Sequence, residues 1–178
     1  MKTAIIYHSK YGHTKQYAQW LAEELNADIY ESKNLKISML DDYASLVFGG
    51  SLYAGKNKAA SLIVKHFEQI KDKKVALFTC GLADVSNEIN LNNRNKALDK
   101  VITPEIREKI TVFHLQGGID YDNLSFLHKM MMKMVHKPLQ KKPADQLTGE
   151  EKAILETYGQ KIDLSDKKML KPIIEFMV

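Results

Sequence analysis

The chain alternates strand-like and helix-like segments along most of its length, and this alternation limits the possible folds more than any other feature. The predicted strands are Thr3–Tyr7, Asp28–Glu31, Tyr43–Gly49, Lys74–Thr79 and Ile110–Leu115. The segments between them carry apolar residues at helical spacing, as in Tyr17, Ala18, Leu21, Ala22 and Leu25. Strands separated by helices pair in parallel, and the helices cover both faces of the sheet. The pattern therefore predicts an α/β protein, a three-layer α/β/α sandwich around a five-stranded parallel sheet, with the polar strand Asp28–Glu31 at an edge.

Length and composition exclude several classes of protein. The 178 residues, 44% hydrophobic and 27% charged, are typical of one globular domain. The single cysteine, Cys80, excludes an internal disulfide, and the N-terminal run is too polar for a signal peptide. The net charge of +4 is spread along the chain, without the aromatic-rich basic motif of a nucleic-acid site. We therefore expect a cytoplasmic protein that binds no nucleic acid, with peripheral membrane contact left open.

A candidate anion site lies between the first strand and the first helix. The segment reads Ser9-Lys10-Tyr11-Gly12-His13-Thr14. Its hydroxyls can bond a phosphate, Gly12 allows close approach of the backbone, and the helix start adds N–H donors and a positive dipole end. It is neither a dinucleotide fingerprint, which needs three spaced glycines, nor a Walker A loop. The alternative is an ordinary turn that binds nothing.

This segment resembles the phosphate loop of the flavodoxin superfamily, in which Ser/Thr-x-x-Gly-x-Thr surrounds the phosphate of flavin mononucleotide (FMN). The resemblance implies a sheet in the order 2-1-3-4-5. In such folds the ligand lies beyond the carboxyl ends of the strands. The loops after the first, third and fourth strands should therefore all carry residues of one site.

Both further loops contain suitable residues. After the third strand come Ser51, Leu52, Tyr53, Ala54 and Gly55. In flavodoxin relatives this loop commonly supplies an aromatic side chain that flanks the flavin, and Tyr53 occupies that kind of position. The alternative is an ordinary turn whose tyrosine packs on the surface. After the fourth strand come Thr79, Cys80, Gly81, Leu82 and Asp84, whose amides and Thr79 hydroxyl could bond the flavin ring or ribityl chain. No aromatic lies between Cys80 and Ile89, where carrier flavodoxins often have one, and this suits an enzyme with a bulky substrate. Cys80 itself is expected to be a small buried residue.

About thirty residues separate the fifth strand from a last helix predicted from around Thr148 to about Ile162. Within them, the segment 126–137 predicts a helix with an apolar half and a basic half. The apolar half comprises Phe126, Leu127, Met130, Met131, Met134 and Val135, and the other comprises His128, Lys129, Lys133 and His136. One interpretation is a helix that covers the core, with its lysines in solvent. The other is an adaptable patch for a substrate or an anionic membrane, formed by Met130, Met131, Met134, Lys129 and Lys133.

The three loops and this insertion together resemble the bacterial flavodoxin-like, menaquinone-dependent protoporphyrinogen oxidases. The resemblance implies a flavoprotein of heme biosynthesis that uses FMN to pass electrons from a porphyrinogen to a quinone. It implies an FMN-binding domain over 1–163, with the insertion at about 117–147, and an extension over 164–178 packed on or near the same domain.

Two other functions remain open at this point. One is a flavodoxin-type electron carrier that has redox-protein partners and no small-molecule substrate, although the basic net charge weighs against it. The other is an interaction module whose insertion helix binds a membrane or a partner. No catalytic acid or base can be assigned, and the six scattered histidines do not have metal-ligand spacing. The oligomeric state is not predicted.

Overall fold

A computed structural model describes residues 2–52 and 57–178. Its strands are β1 (Thr3–His8), β2 (Asp28–Glu31), β3 (Ser45–Ser51), β4 (Lys74–Gly81), β5 (Ile110–Gln116), β6 (Gly118–Asp120) and β7 (Lys161–Asp163). Its helices are α1 (His13–Leu25), α2 (Lys58–Lys65), α3 (Phe67–Ile70), α4 (Glu88–Asp99), α5 (Pro104–Lys109), α6 (Phe126–Leu139), α7 (Gly149–Thr157) and α8 (Lys171–Met177). Short 3-10 helices span Ser32–Asn34, Ile37–Leu40, Ala144–Gln146 and Lys167–Leu170.

The first five strands form one parallel sheet in the order β2-β1-β3-β4-β5, which confirms the predicted fold. In register, Ile5 of β1 lies between Ile29 of the edge strand β2 and Val47 of β3. Strand β4 continues to Gly81, two residues beyond its predicted end, because Cys80 and Gly81 still pair with Ser51 and Gln116. The sheet therefore extends β4 into the segment predicted as a loop.

Two apolar clusters hold the helices on opposite faces of the sheet. On one face, α1 and α8 pack against β1, β3 and β4 through side chains such as Tyr17, Leu21 and Ile173. On the other face, α2 to α5 cover the sheet through side chains such as Ile63 and Ile106. This arrangement forms the predicted three layers, and it leaves the carboxyl ends of the strands as the place where loops converge. None of the described helices combines the length and apolar character needed to cross a bilayer.

The helix predicted over Ala59–Ile70 is interrupted. His66 has φ −117° and ψ 20°, outside the helical region, and its N–H donates to the carbonyls of Leu62 and Ile63. The chain then restarts as α3 at Phe67. Periodicity missed this break because Phe67 and Ile70 remain on the buried side of the chain.

The predicted last helix is shorter than expected. It begins with the expected capping box between Thr148 and Glu151, but it ends at Thr157 and not near Ile162. Gly159, with φ 75°, turns the chain in the left-handed region, and β7 then pairs antiparallel with β6. The segment 118–163 is therefore an insertion bounded by a two-stranded ribbon. We call residues 121–160, which lie between β6 and β7 and contain α6 and α7, the cap.

The terminal residues 164–178 provide the helix that completes one face of the sheet. Leu170, Ile173 and Met177 are buried in the same cluster as Tyr17 and Leu21 of α1. A minimal flavodoxin-like chain would go from its fifth strand almost directly into its last helix. Here that last helix is α8, not the helix predicted from around Thr148, and the cap separates it from β5.

His114 on β5 is a half-buried titratable group. Its Nε2–H donates to Asn95 Oδ1 at 3.1 Å, since that oxygen also accepts from Arg107. Its Nδ1 therefore accepts from the Thr79 hydroxyl at 2.6 Å. Burial, with the nearby charges of Arg94 and Arg107, lowers the pKa of His114 from 6.5 to about 4. The folded protein therefore holds His114 neutral.

This depressed pKa predicts a loss of stability in acid. The unfolded state takes up the proton first, so the stabilisation is complete above the unfolded pKa of 6.5 and is lost as the pH falls toward about 4. We expect the free energy of unfolding to fall by about 2–3 kcal/mol over that range from this group. Urea denaturation of the wild type and of His114→Gln at several pH values tests this prediction. The free energy of unfolding of the variant should lack this part of the dependence on pH. An unchanged slope in the variant would contradict the assignment.

Candidate functional site

The predicted phosphate loop has the geometry of an anion site. Gly12 has φ 103° at the N-cap of α1, and its N–H donates to the Ser9 hydroxyl at 3.1 Å. The first helical hydrogen bond runs from the Gln16 N–H to the Gly12 carbonyl at 2.8 Å, so the N–H groups of residues 13–15 precede the helical ladder. A Cβ added at Gly12 would meet no atom within 4 Å, so the space beside the loop is open. Since the first turn of α1 carries no acidic residue, the loop fits a phosphate.

A cavity of about 240 Å³ lies at this loop and at the carboxyl ends of the sheet strands. Eleven of the sequence-predicted cofactor residues line it together. They are Ser9, Lys10, Tyr11, Gly12, His13, Thr14, Ser51, Leu52, Cys80, Gly81 and Leu82. The structure therefore brings the phosphate loop, the start of the loop after β3 and the end of β4 to one cavity, as the parallel topology requires.

Other predicted residues lie elsewhere. Thr79 is fully buried beneath the cavity and bonds His114, and the Asp84 carboxylate accepts from the N–H and hydroxyl of Ser86 at a neighbouring surface. The predicted contacts of Tyr53, Ala54 and Gly55 fall outside the described residues. Within the insertion patch, Met131 lines the cavity. The other members of the patch, Lys129, Met130, Lys133 and Met134, are exposed and do not line it.

The rest of the cavity wall was not predicted from the sequence. It comes from the β5–β6 junction and the cap, through Gly117, Gly118, Ile119, Asp120, Leu124, His128, Met132, Val135, Glu150 and Ile154. In α6 the inward side carries the buried His128 and Leu139 and the half-buried Met132, and two members of the predicted apolar half, Met131 and Val135, also line the cavity. Apolar residues occur on both sides of this helix, so periodicity alone does not identify the side that faces the cavity. The heptad-like spacing of His128, Met132 and Leu139 was the one available signal.

His128 ties the cap to the phosphate loop. It is only 8% exposed, and both of its ring nitrogens contact residues of the loop. The Lys10 ammonium can only donate, so Nε2 accepts from it at 3.1 Å, and Nδ1–H must donate to the Tyr11 hydroxyl oxygen. Burial and the charge of Lys10 lower the pKa of His128, which favours this neutral tautomer. The contacts place the first turn of α6 directly over the candidate phosphate site.

Cys80 packs tightly at the floor of the cavity. Burial raises the pKa of its thiol to about 12, so the thiol is protonated at neutral pH. The chain at Gly117 approaches the Cys80 sulfur so closely that a Cβ at that position would overlap it. Cys80 therefore acts as a small packing residue, and Gly117 is required by this close approach.

Arg94 of α4 anchors the cap to the sheet. The residue is 2% exposed, and its guanidinium donates to three acceptors, which are the Glu150 carboxylate at 3.0 Å and the carbonyls of Leu115 and Ala83 at 2.9 and 2.8 Å. Glu150 lies in the first turn of α7, whereas Leu115 and Ala83 lie at or just beyond strand ends. One buried cation thus joins the cap to the ends of β4 and β5.

Comparison with known proteins identifies related chains. An uncharacterized protein of Methanocaldococcus jannaschii is 31% identical over 104 residues, which cover 56% of this chain and 68% of that protein. Among solved structures, a flavoprotein in complex with FMN from Lactobacillus acidophilus is 15% identical and has a TM-score of 0.41, covering 65% of this chain and 91% of that one. Oxidised flavodoxin 2 from Bacillus cereus is 21% identical with a TM-score of 0.43, covering 65% and 86%.

The family assignment follows from a match over most of the chain. The family model described as a flavodoxin domain matches residues 4–146, a segment that includes the sheet, the phosphate loop and α6. This match and the geometry of the loop at the start of α1 together support FMN as the cofactor. The chain belongs to the flavodoxin-domain family.

Proposed function

We propose that the protein is an FMN-dependent oxidoreductase that oxidises a flat, largely apolar substrate and passes the electrons to a quinone. The observation that supports this most is the apolar inner wall of the cap. Leu124, Met132, Val135 and Ile154 face the cavity that the phosphate loop and strand ends also line. A carrier that meets only redox proteins has no need of such a wall, whereas a bulky apolar substrate does.

Different residues of the chain would have different roles in such an enzyme. The Ser9–Thr14 loop and the N-terminus of α1 would hold the phosphate, and Leu52, Gly81 and Leu82 would lie along the flavin. The apolar wall would exclude water and orient the substrate. Bound FMN would supply the hydride or electron chemistry. Each pair of hydrogen atoms removed from the substrate would convert one quinone to its quinol, which balances the reaction.

The resemblance to protoporphyrinogen oxidases makes a porphyrinogen the candidate substrate. Its carboxylates need cationic partners, and Lys129 and Lys133 lie outside the cavity. Lys10 is the lysine among the lining residues, and it lies beside His128 at the edge between loop and cap. We therefore assign the carboxylate contact to Lys10 in place of the two insertion lysines.

An anaerobic assay of the FMN-loaded protein with protoporphyrinogen and menadione tests the proposal. We expect quinone-dependent formation of fluorescent porphyrin. Met132→Asp should slow it about tenfold or more, because it buries a charge in the apolar wall. Met130→Asp, two residues away on the exposed side of α6, is the matched control and should leave the rate unchanged.

The proposal would be contradicted if the FMN-loaded protein produced no porphyrin but passed electrons from a flavodoxin reductase to cytochrome c. That outcome would identify an electron carrier. The FMN content of each variant is measured in parallel, so that loss of cofactor is not mistaken for loss of substrate oxidation.

A further inference from the structure

We propose that the outward face of α6 docks the protein on a bilayer that carries anionic lipids. Four large apolar side chains are exposed there: Phe126 by 81%, Leu127 by 67%, Met130 by 46% and Met134 by 71%. They share one helix, so they form a continuous stripe rather than the scattered single residues of an ordinary surface. This inference does not depend on the proposed function.

The stripe lies beside a row of lysines. Phe126, Met130 and Met134 recur at intervals of four residues along α6, and so do Lys129, Lys133 and Lys137. Residues four apart lie above one another on a helix, so these are two neighbouring parallel rows. Apolar side chains flanked by lysines on one helix surface are the arrangement of helices that lie in the membrane interface, since lysine stems reach past the apolar residues to the headgroups.

The charged residues of α6 itself are all lysines. No acidic residue occurs between Leu124 and Lys142. Among the described residues no carboxylate pairs with Lys129, Lys133 or Lys137, whereas Lys142 pairs with Glu151 at 2.7 Å. The Lys129 ammonium donates to the backbone carbonyl of Asp122 at 3.2 Å. Uncompensated lysines beside an apolar stripe match a surface that is both anionic and apolar beneath its headgroups, which is a bilayer containing anionic lipid.

Docking in this orientation would bring the cavity close to the membrane. The opposite side of α6 lines the cavity through His128, Met132 and Val135. A helix with its side chains is about 10 Å across, so only that thickness would separate the cavity from the lipid.

Vesicle co-sedimentation of the full chain tests the proposal. We expect binding to vesicles of phosphatidylcholine and phosphatidylglycerol, weak binding to phosphatidylcholine alone, and loss of binding at high salt. Lys129→Glu with Lys133→Glu should weaken the partition coefficient about tenfold or more. Phe126→Ser with Met134→Ser should weaken it by a similar factor, because the apolar contact is lost.

Helix α4 and its C-cap residue Lys100 offer matched controls. Lys96 and Lys100 are exposed and four residues apart, and Ile89 is 67% exposed. Lys96→Glu with Lys100→Glu, and Ile89→Ser, should leave vesicle binding unchanged. The proposal is overturned if the wild type does not bind anionic vesicles or if the controls lose binding equally. Concentration-dependent self-association without vesicle binding would also overturn it, since the stripe would then be an interface between copies of the chain.

Discussion

Replacing Arg94 with methionine is expected to lower the free energy of unfolding by about 3–5 kcal/mol. The guanidinium is buried and donates to the Glu150 carboxylate and to the carbonyls of Leu115 and Ala83. Methionine fills much of the same volume but leaves both carbonyls without this donor, and it removes the link between α7 and the strand ends. Urea denaturation followed by circular dichroism measures the loss.

Arg107→Met is the matched control for this prediction. Its side chain is partly exposed, lies 3.8 Å from Asp99 and bonds Asn95 at 2.8 Å. Because solvent can replace these contacts, the expected loss is below about 1 kcal/mol. Equal losses in the two variants would refute the role of Arg94 as a buried anchor. Hydrogen exchange adds a local readout, since Arg94→Met should raise exchange in α7 more than in β1.

Replacing Ser9 with aspartate is expected to weaken FMN binding about 100-fold or more. An aspartate oxygen can accept the Gly12 N–H as the serine hydroxyl does, so the turn is kept. The new carboxylate, however, would face the dianionic phosphate at the N-terminus of α1. Fluorescence titration of the apoprotein with FMN measures the change in affinity.

Riboflavin, which lacks the phosphate, separates charge repulsion from loop damage. Ser9→Asp should bind riboflavin within about threefold of the wild type, because neutral riboflavin has no charge to repel. Ser9→Ala removes the hydroxyl without adding charge and should weaken FMN binding by about tenfold or less. If Ser9→Asp weakened FMN and riboflavin binding equally, the phosphate would not lie at this loop.

The sheet and half of the cavity could be predicted because their signals are local. Buried parallel strands such as β1 and β3 are continuous apolar runs, and the phosphate loop lies within six consecutive residues. Once strands and connections are placed, the topology itself requires the loops after β1, β3 and β4 to meet. The strand order itself came from the resemblance to the flavodoxin superfamily, and the structure confirms it.

The cap could not be predicted because its structure depends on contacts between distant residues. Strands β6 and β7 have three residues each, too few for a periodic pattern, and they pair across the whole insertion. His128 was assigned to the polar half of α6, yet it is buried against Tyr11, which lies 117 residues earlier. An isolated histidine in sequence carries no sign of such a partner.

The antiparallel ribbon of β6 and β7 has a consequence for how this scaffold can change. Its pairing brings Gly118 beside Asp163, so the chain leaves the α/β sandwich and rejoins it at adjacent points. Adding or removing residues between those two points would change the loop-closure entropy only slightly, because this entropy depends weakly on loop length. The register of the sheet would stay unchanged. Because of this ribbon, the size and chemistry of the cap can change while the strand ends beneath it keep their arrangement.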